Sequence, residues 1–218
     1  MDTTPIVETE QVTMTVIENP GGGPIANALI CIVGRPEIPC AASGTDGKYT
    51  LTIPAWTTGV DMAFNVTAAG HLGSTGLVHE TPGSINWVSH PLYTDAAAAD
   101  LLRPTGFAYP AGGKAFVLLA MFRGGGAAEG LTASSSPAGG AGPVYADPTG
   151  TFDRTLTAIT SDGYVLFGDL EPGPIEITVS ASCTPTVFAT QGWADAKPNS
   201  IAGWTVADSM TTMVVICQ

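Results

Sequence analysis

The chain has 218 residues, with 19 acidic against 7 basic side chains and a formal net charge of −12. So few cations exclude nucleic-acid binding, which needs clustered Lys and Arg to neutralise phosphates, and adsorption to anionic membrane surfaces. No run of 18 or more apolar residues occurs, so neither a transmembrane helix nor direct membrane insertion is expected.

The first residues, 1–11, are polar and acidic, with no basic start and no apolar stretch of a signal peptide. The simplest account is a mature chain with an added Met1, its signal peptide removed. Val12, Met14 and Val16 alternate with Thr13 and Thr15, which predicts a half-buried strand. A turn at Asn19–Pro24 and a buried strand at Ala28–Val33 follow. Residues 34–44 read as a loop. Asp46-Gly47 supplies the positive φ of a tight turn and leads into Tyr49, Leu51 and Ile53, alternating with Thr50 and Thr52. Further strands are expected at 62–69, 75–80 and about 84–89. Thr94 to Leu102 reads as a short helix: Thr94 or Asp95 can cap it, four alanines favour it and Pro104 stops it.

A second series of strands begins at Lys114. Lys114 to Arg123 is apolar almost throughout and predicts a strand buried on both faces. Strands are expected at 130–134, 143–147 and 155–160, with a Ser/Gly/Pro loop from Ser135 to Gly142. Asp162-Gly163 turns the chain into a strand from Tyr164 to Phe167, and Ile175, Ile177 and Val179 form an amphipathic strand. The chain closes with strands near 186–190 and 211–217. Its 27 glycines and 17 prolines are roughly a fifth of the residues, below the ~25–30% of an aperiodic disordered chain. They fall at these turns.

The two halves share a pattern. Gly44-Thr45-Asp46-Gly47-Lys48-Tyr49-Thr50-Leu51, Ile53-Pro54 and Phe64 to Gly70 stand in the first. Thr160-Ser161-Asp162-Gly163-Tyr164 to Phe167, Leu170-Glu171-Pro172-Gly173 and Ile175 to Ala181 stand in the second. Each reads as an Asp-Gly turn, an aromatic-led strand, a Pro-bearing turn and an alternating strand. This resembles the carboxypeptidase regulatory-like, or transthyretin-like, β-sandwich over roughly residues 12–80 and 114–181. The first copy has Trp56-Thr57 where Pro-Gly is usual, and the second has Pro174-Ile175 in place of an aromatic. The resemblance implies an all-β fold of two tandem antiparallel β-sandwiches, transthyretin-like or Ig-like, joined by a short linker helix. The expected divisions are a first sandwich at 1–92, a linker at 93–110 and a second sandwich at 111–218. It also implies a non-catalytic accessory module, as in secreted bacterial surface proteins.

Cys31, Cys40, Cys183 and Cys217 allow three pairings. Proximity favours Cys31–Cys40, and the placing of the other two at β-like segment edges favours Cys183–Cys217. Disulfides imply an oxidising setting, and low charge with abundant Thr, Ser, Ala and Gly fits an extracellular or cell-surface protein.

Motifs for chemistry are missing from the sequence. No Gly-x-Ser-x-Gly elbow, phosphate-cradling Gly loop or zinc-ligand spacing occurs. His71, His79 and His90 lie before residue 91, which disfavours the iron-binding dioxygenases whose Asp-Gly-x-Tyr and Pro-Gly-Pro runs look similar. No catalytic residue, metal or cofactor is expected. The Asn65-Val66-Thr67 sequon lies inside a predicted strand, and the turn acids Asp46, Asp162 and Asp169 are explained by turn chemistry. Lys114 and Glu176 admit two readings, an isopeptide pair as in surface-adhesin sandwiches, or Lys114 as a solvated strand-end charge. The latter is favoured.

Tryptophans Trp56, Trp193 and Trp204 are read in turns or loops. They are candidate contacts for a sugar ring or a protein partner, or plugs for the open ends of the sandwiches. The expected function is a non-enzymatic structural, adhesive or protein-interaction role, self-assembling through strand edges that carry unpaired backbone groups. The alternative is a carbohydrate-binding accessory module.

Overall fold

A computed structural model of the chain describes residues 8–55, 60–80, 89–137, 142–180, 186–187, 193–194 and 199–217. The N-terminal alternation becomes β1 (Thr9–Asn19), with Val12, Met14 and Val16 buried and Thr13 exposed. Next come β2 (Leu29–Ile32) and β3 (Ala41–Ala42). The loop between them is clipped by a Cys31–Cys40 disulfide. Gly47 takes φ +74° in the Asp-Gly turn and opens β4 (Lys48–Pro54), whose Tyr49, Leu51 and Ile53 are buried. A hairpin of β5 (Val60–Thr67) and β6 (Gly73–Glu80) follows. The strand expected near 84–89 falls almost wholly outside the described residues; β7 (His90–Tyr93) lies just beyond it. Helix α1 (Asp95–Leu102) forms as expected, with the Thr94 hydroxyl accepting the Ala97 N–H. Pro104 then sits in a short 3₁₀ turn at Arg103–Thr105.

The second half contains β8 (Ala115–Arg123), β9 (Gly126–Ala127), β10 (Ala133–Ser136), β11 (Val144–Ala146) and β12 (Phe152–Asp153). It continues with β13 (Tyr164–Leu170), β14 (Gly173–Val179), β15 (Thr186–Val187), β16 (Trp193–Ala194), β17 (Ser200–Thr205) and β18 (Ser209–Cys217). Residues 155–160 are not a strand. The Asp153 carboxylate accepts the Thr155 N–H and hydroxyl at 2.8 and 2.7 Å, which turns the chain where a strand was expected. Ile159 then makes backbone bonds to Gly130 and Leu131 only. The expected loop at Ser135 starts later, because Ser135 and Ser136 pair with Ile177 and Glu176 in β10.

The fold is all-β with one short helix. Two small sheets, β4-β1-β7 and β10-β14-β17-β16, face one large sheet of order β12-β11-β13-β8-β18-β6-β5-β2-β3. Among the described residues, pairing is antiparallel except at three places. β1 runs parallel to β7, and β18 runs parallel to both β8 and β6. The C-terminal strand therefore lies between a strand of the first half and a strand of the second, and the large sheet is continuous through both. Parallel neighbours need long connections; β2 to β6 lie between β1 and β7 in the chain, and β9 to β17 between β8 and β18.

The sheets enclose two cores. One is built from residues between Val12 and Leu92, around Phe64 and Leu51. The other centres on Val117, Leu119, Phe167 and Met213, and includes Ala63 and Leu77 from β5 and β6. A third cluster seats α1: Ala98 and Leu102 pack with Phe107, Phe116, Leu166 and Met210 on the opposite face of the large sheet. Gly168 is needed there, since a Cβ at that position would run into the Phe107 ring.

Candidate functional site: a recess at the joint of the two halves

Three chain segments meet beside the N-terminus of α1. The β5–β6 turn brings Gly70, His71 and Leu72. The linker brings Asp95, Ala96, Tyr109, Pro110 and Ala111, and the β17–β18 turn brings Asp208. Backbone bonds hold them together: Asp95 N–H to the Gly70 carbonyl, Leu72 N–H to Tyr93, and Gly73 N–H to Asp208. They leave a recess of about 620 Å³ between them.

The lining is rich in acceptors. The Tyr109 hydroxyl donates to Asp95 Oδ1 at 2.6 Å, and Asp208 Oδ1 accepts the Gly113 N–H at 3.0 Å. Burial, the bond to Asp95 and the charges of Asp95 and Asp208 push the Tyr109 phenol well above its ordinary range. The His71 ring is largely buried. Its Nδ1 lies 2.9 Å from the Ala69 carbonyl, which requires the N–H on that nitrogen. Nε2 has no hydrogen-bond partner. Glu18 Oε2 stands 3.6 Å from it, an ion pair only when the imidazole is protonated. Among the described residues no group of three or more His, Cys, Asp or Glu side chains could hold a metal ion.

Among the described residues, neither Trp193 nor Trp204 lines this recess. Trp56 and Cys183 lie outside the described residues. Trp193 and Trp204, expected in turns or loops, stand on strands β16 and β17, because both segments pair into the small sheet. Both are partly buried and pack against the second core. The Trp193 indole N–H donates to the Val78 carbonyl at 2.8 Å. Trp204 is paired opposite Pro174, and Trp193 opposite Ala202. Cys217 is disulfide-bonded.

The remaining candidates resolve individually. His90 is buried between the Tyr49 and Phe64 rings, with centroids 6.1 and 6.4 Å away. The Asn65 carbonyl oxygen of the sequon accepts from Ser209 Oγ at 3.1 Å and Thr75 Oγ1 at 3.5 Å, inside the sheet. Lys114 forms its ion pair with Glu171, not Glu176. Glu176 lies mid-strand opposite Ala202. Sequence reasoning marked Asp95 only as a possible cap and passed over Tyr109 and Asp208. They are over a hundred positions apart at the extremes, and no local spacing signals their meeting.

No family model matches the chain, and no curated protein matches it. Solved structures do. It is similar to the Bacillus anthracis TIE protein at 10% identity and a TM-score of 0.32, over 96% of this chain and 33% of that one. It is similar to the shaft pilin SpaA from Lactobacillus rhamnosus GG at 10% identity and 0.32, over 97% and 98% of the two chains. A DUF3823 family protein from Bacteroides ovatus matches at 9% identity and 0.29, over 93% and 99%. The chain spans about a third of the TIE protein and 62% of a streptococcal ancillary pilin. At these TM-scores the likeness carries no functional inference. Among the described residues no helix is long and apolar enough to cross a membrane.

Proposed function

We propose that the chain is a non-enzymatic structural and protein-interaction module of an extracytoplasmic surface, which associates through an open strand edge. The observation that carries this reading is the free edge of β4. The flanking bonds from Val16 N–H to Gly47 and from Ala55 N–H to Glu8 set the phase of the β1–β4 ladder. Tyr49, Leu51 and Ile53 therefore face β1, and the backbone groups of Thr50 and Thr52 face away. Among the described residues no strand pairs with that side. Lys48 and Pro54 guard its two ends, but the stretch between carries no charge. Thr13 and Thr50 hydroxyls bond across the outer face at 2.9 Å, so the surface beside the edge is uncharged too. The Cys31–Cys40 disulfide suits an oxidising compartment.

Sedimentation velocity over a concentration series, on the wild type and on Thr50→Pro and Thr52→Pro, tests the reading. Proline at an outward-facing position removes an edge donor without removing a ladder bond. The expected result is concentration-dependent association, at least about tenfold weaker in the proline variants, since tenfold is about 1.4 kcal/mol and an edge bond contributes that order. A chain that stays monomeric at the highest soluble concentration, or associates equally well with the prolines, removes self-association from the proposal.

One observation favours a second reading, polysaccharide binding. Trp204 is partly exposed beside Pro174, and Gly203, its neighbour, points into the core against Met213 and Leu77. By alternation Trp204 leaves the strand on the side away from Gly203, and the part of its ring not packed on the second core is the surface open to a sugar. Retention on polysaccharide columns that Trp204→Ala abolishes would support it.

A further inference from the structure

We propose, resting on the edge-association reading, that the partner of the β4 edge is the β4 edge of a second copy. The two strands run antiparallel about a two-fold axis at Leu51, so association through them closes at a dimer. The backbone groups left on the edge decide the pairing. The Lys48 N–H donates to Asp46 Oδ1 at 3.0 Å, and the Lys48 carbonyl accepts the Gly44 N–H at 2.8 Å. Pro54, at the other end, has no N–H. Between them Thr50 and Thr52 face outward, with N–H and carbonyl unbonded among the described residues. They stand symmetrically about Leu51. In an antiparallel ladder, opposed residues of this phase exchange both their bonds. A two-fold at Leu51 sets Thr50 against Thr52 of the second copy and Thr52 against its Thr50, which leaves no group of either threonine over. A parallel ladder staggers its bonds along the strand. It therefore runs onto Lys48 or Pro54, whose groups are engaged or missing.

The side chains suit the same axis. On the exposed face threonine meets threonine, as Thr13 and Thr50 already do within one copy. Lys48 meets Pro54 of the second copy, so no like charges are opposed. On the core face Leu51 meets Leu51 and Tyr49 meets Ile53, which joins the apolar rows of two first cores. Other edges of the chain offer a second copy less. β3, β12 and β16 are two residues long. On β10 the Tyr145 hydroxyl accepts the Ala133 N–H at 3.0 Å, and on β7 the Tyr93 carbonyl accepts the Leu72 N–H. An isologous contact uses the edge of both copies at once and stops there, whereas pairing with a different edge leaves one β4 open and the chain of copies growing.

Sedimentation velocity and spin-label distances on the whole chain test this. The wild type is expected to stop at a dimer as concentration rises. Thr50→Lys with Thr52→Lys opposes like charges across the axis and is expected to weaken the dimer at least about tenfold. Thr50→Lys with Thr52→Glu opposes unlike charges and is expected to bind at least as tightly as the wild type. Nitroxides on Lys48→Cys are expected on backbones about 20 Å apart, because Lys48 of each copy lies six steps of ~3.4 Å from the other's along the strand. Parallel pairing in register would bring them to about 5 Å. Growth past the dimer that Thr50→Pro abolishes would overturn the two-fold pairing and leave the edge reading standing. Equal weakening by the two charge variants, or the short Lys48 separation, would overturn it as well. A chain that stays monomeric throughout would remove both readings.

Discussion

The core around Phe64 is made of residues 12–92, whereas the core around Val117 and Phe167 takes in Ala63 and Leu77 from the first half. The first is closed by local devices. The Cys31–Cys40 bridge spans nine positions, and the Ser43 hydroxyl donates to the Ile25 carbonyl at 2.7 Å and accepts the Ala28 N–H at 2.9 Å. The second is closed by distant ones: β18 enters the large sheet from the C-terminus, and Trp193 reaches the Val78 carbonyl. A core completed from its own segment can be weakened alone. A core that includes a neighbour's strands cannot.

Leu77→Ala is the sharpest way to break this comparison. Leu77 is fully buried in the second core although its strand belongs to the first half. The expected loss is about 2–5 kcal/mol, by denaturant titration. Hydrogen exchange should show reduced protection in β8, β13 and β18 as well as in β6. Loss confined to the β5–β6 hairpin would mean that the cores are independent.

Acid separates the halves next. Burial lowers the His90 pKa from 6.5 to about 4. The unfolded chain then takes up the proton first, so stability is whole above pH 6.5 and falls as pH drops toward 4, by about 3 kcal/mol in all. In the second half, Asp147 is held below the usual carboxylate range by Thr149 and Thr151, and Asp153 by Thr155. Those turns contribute above the usual carboxylate pKa and lose stability only as pH falls below it. NMR between pH 6.5 and 4 should therefore show weakening around Tyr49 before the turn at Phe152–Asp153. His90→Phe should flatten the first part of that profile; an unchanged slope would remove His90 as its cause.

The smallest effect expected is that of the local staple. Cys31→Ala with Cys40→Ala should cost about 2–3 kcal/mol, as the closure of a short loop does. Calorimetry should place the loss in the first half. An equal loss of exchange protection in β13 and β14 would show that the staple supports both cores.

Much of the first core was legible in the sequence. The alternation at Val12, Met14, Val16 and at Tyr49, Leu51, Ile53 names the buried faces of β1 and β4, and Asp46-Gly47 names the turn that leads into β4. Helix α1 was legible from Thr94, the alanines and Pro104. These signals are local: a side chain's face follows from strand periodicity, and a turn from the φ its residues tolerate. Residues 155–160 look like a strand because of Leu156 and Ile159, but the equally local Asp153–Thr155 hydrogen bonds bend the chain there. Gly192 and Gly203 give Trp193 and Trp204 the look of turn residues in the sequence, yet both stand on strands. Gly203 is instead a strand residue with Met213 and Leu77 pressed against it.

By itself the sequence determined the class of the fold, its strands and turns, the short helix and the closeness of Cys31 to Cys40, because each depends on neighbours within a few positions. Only the tertiary structure decided that β18 runs parallel between β8 and β6, since strand order is set by which apolar faces are buried together and not by any residue's own preference. The same holds for the recess. Asp95, Tyr109 and Asp208 carry no signal where they stand in the chain, and they line one recess only because the sheet brings the β17–β18 turn against the β5–β6 turn beside the start of the helix.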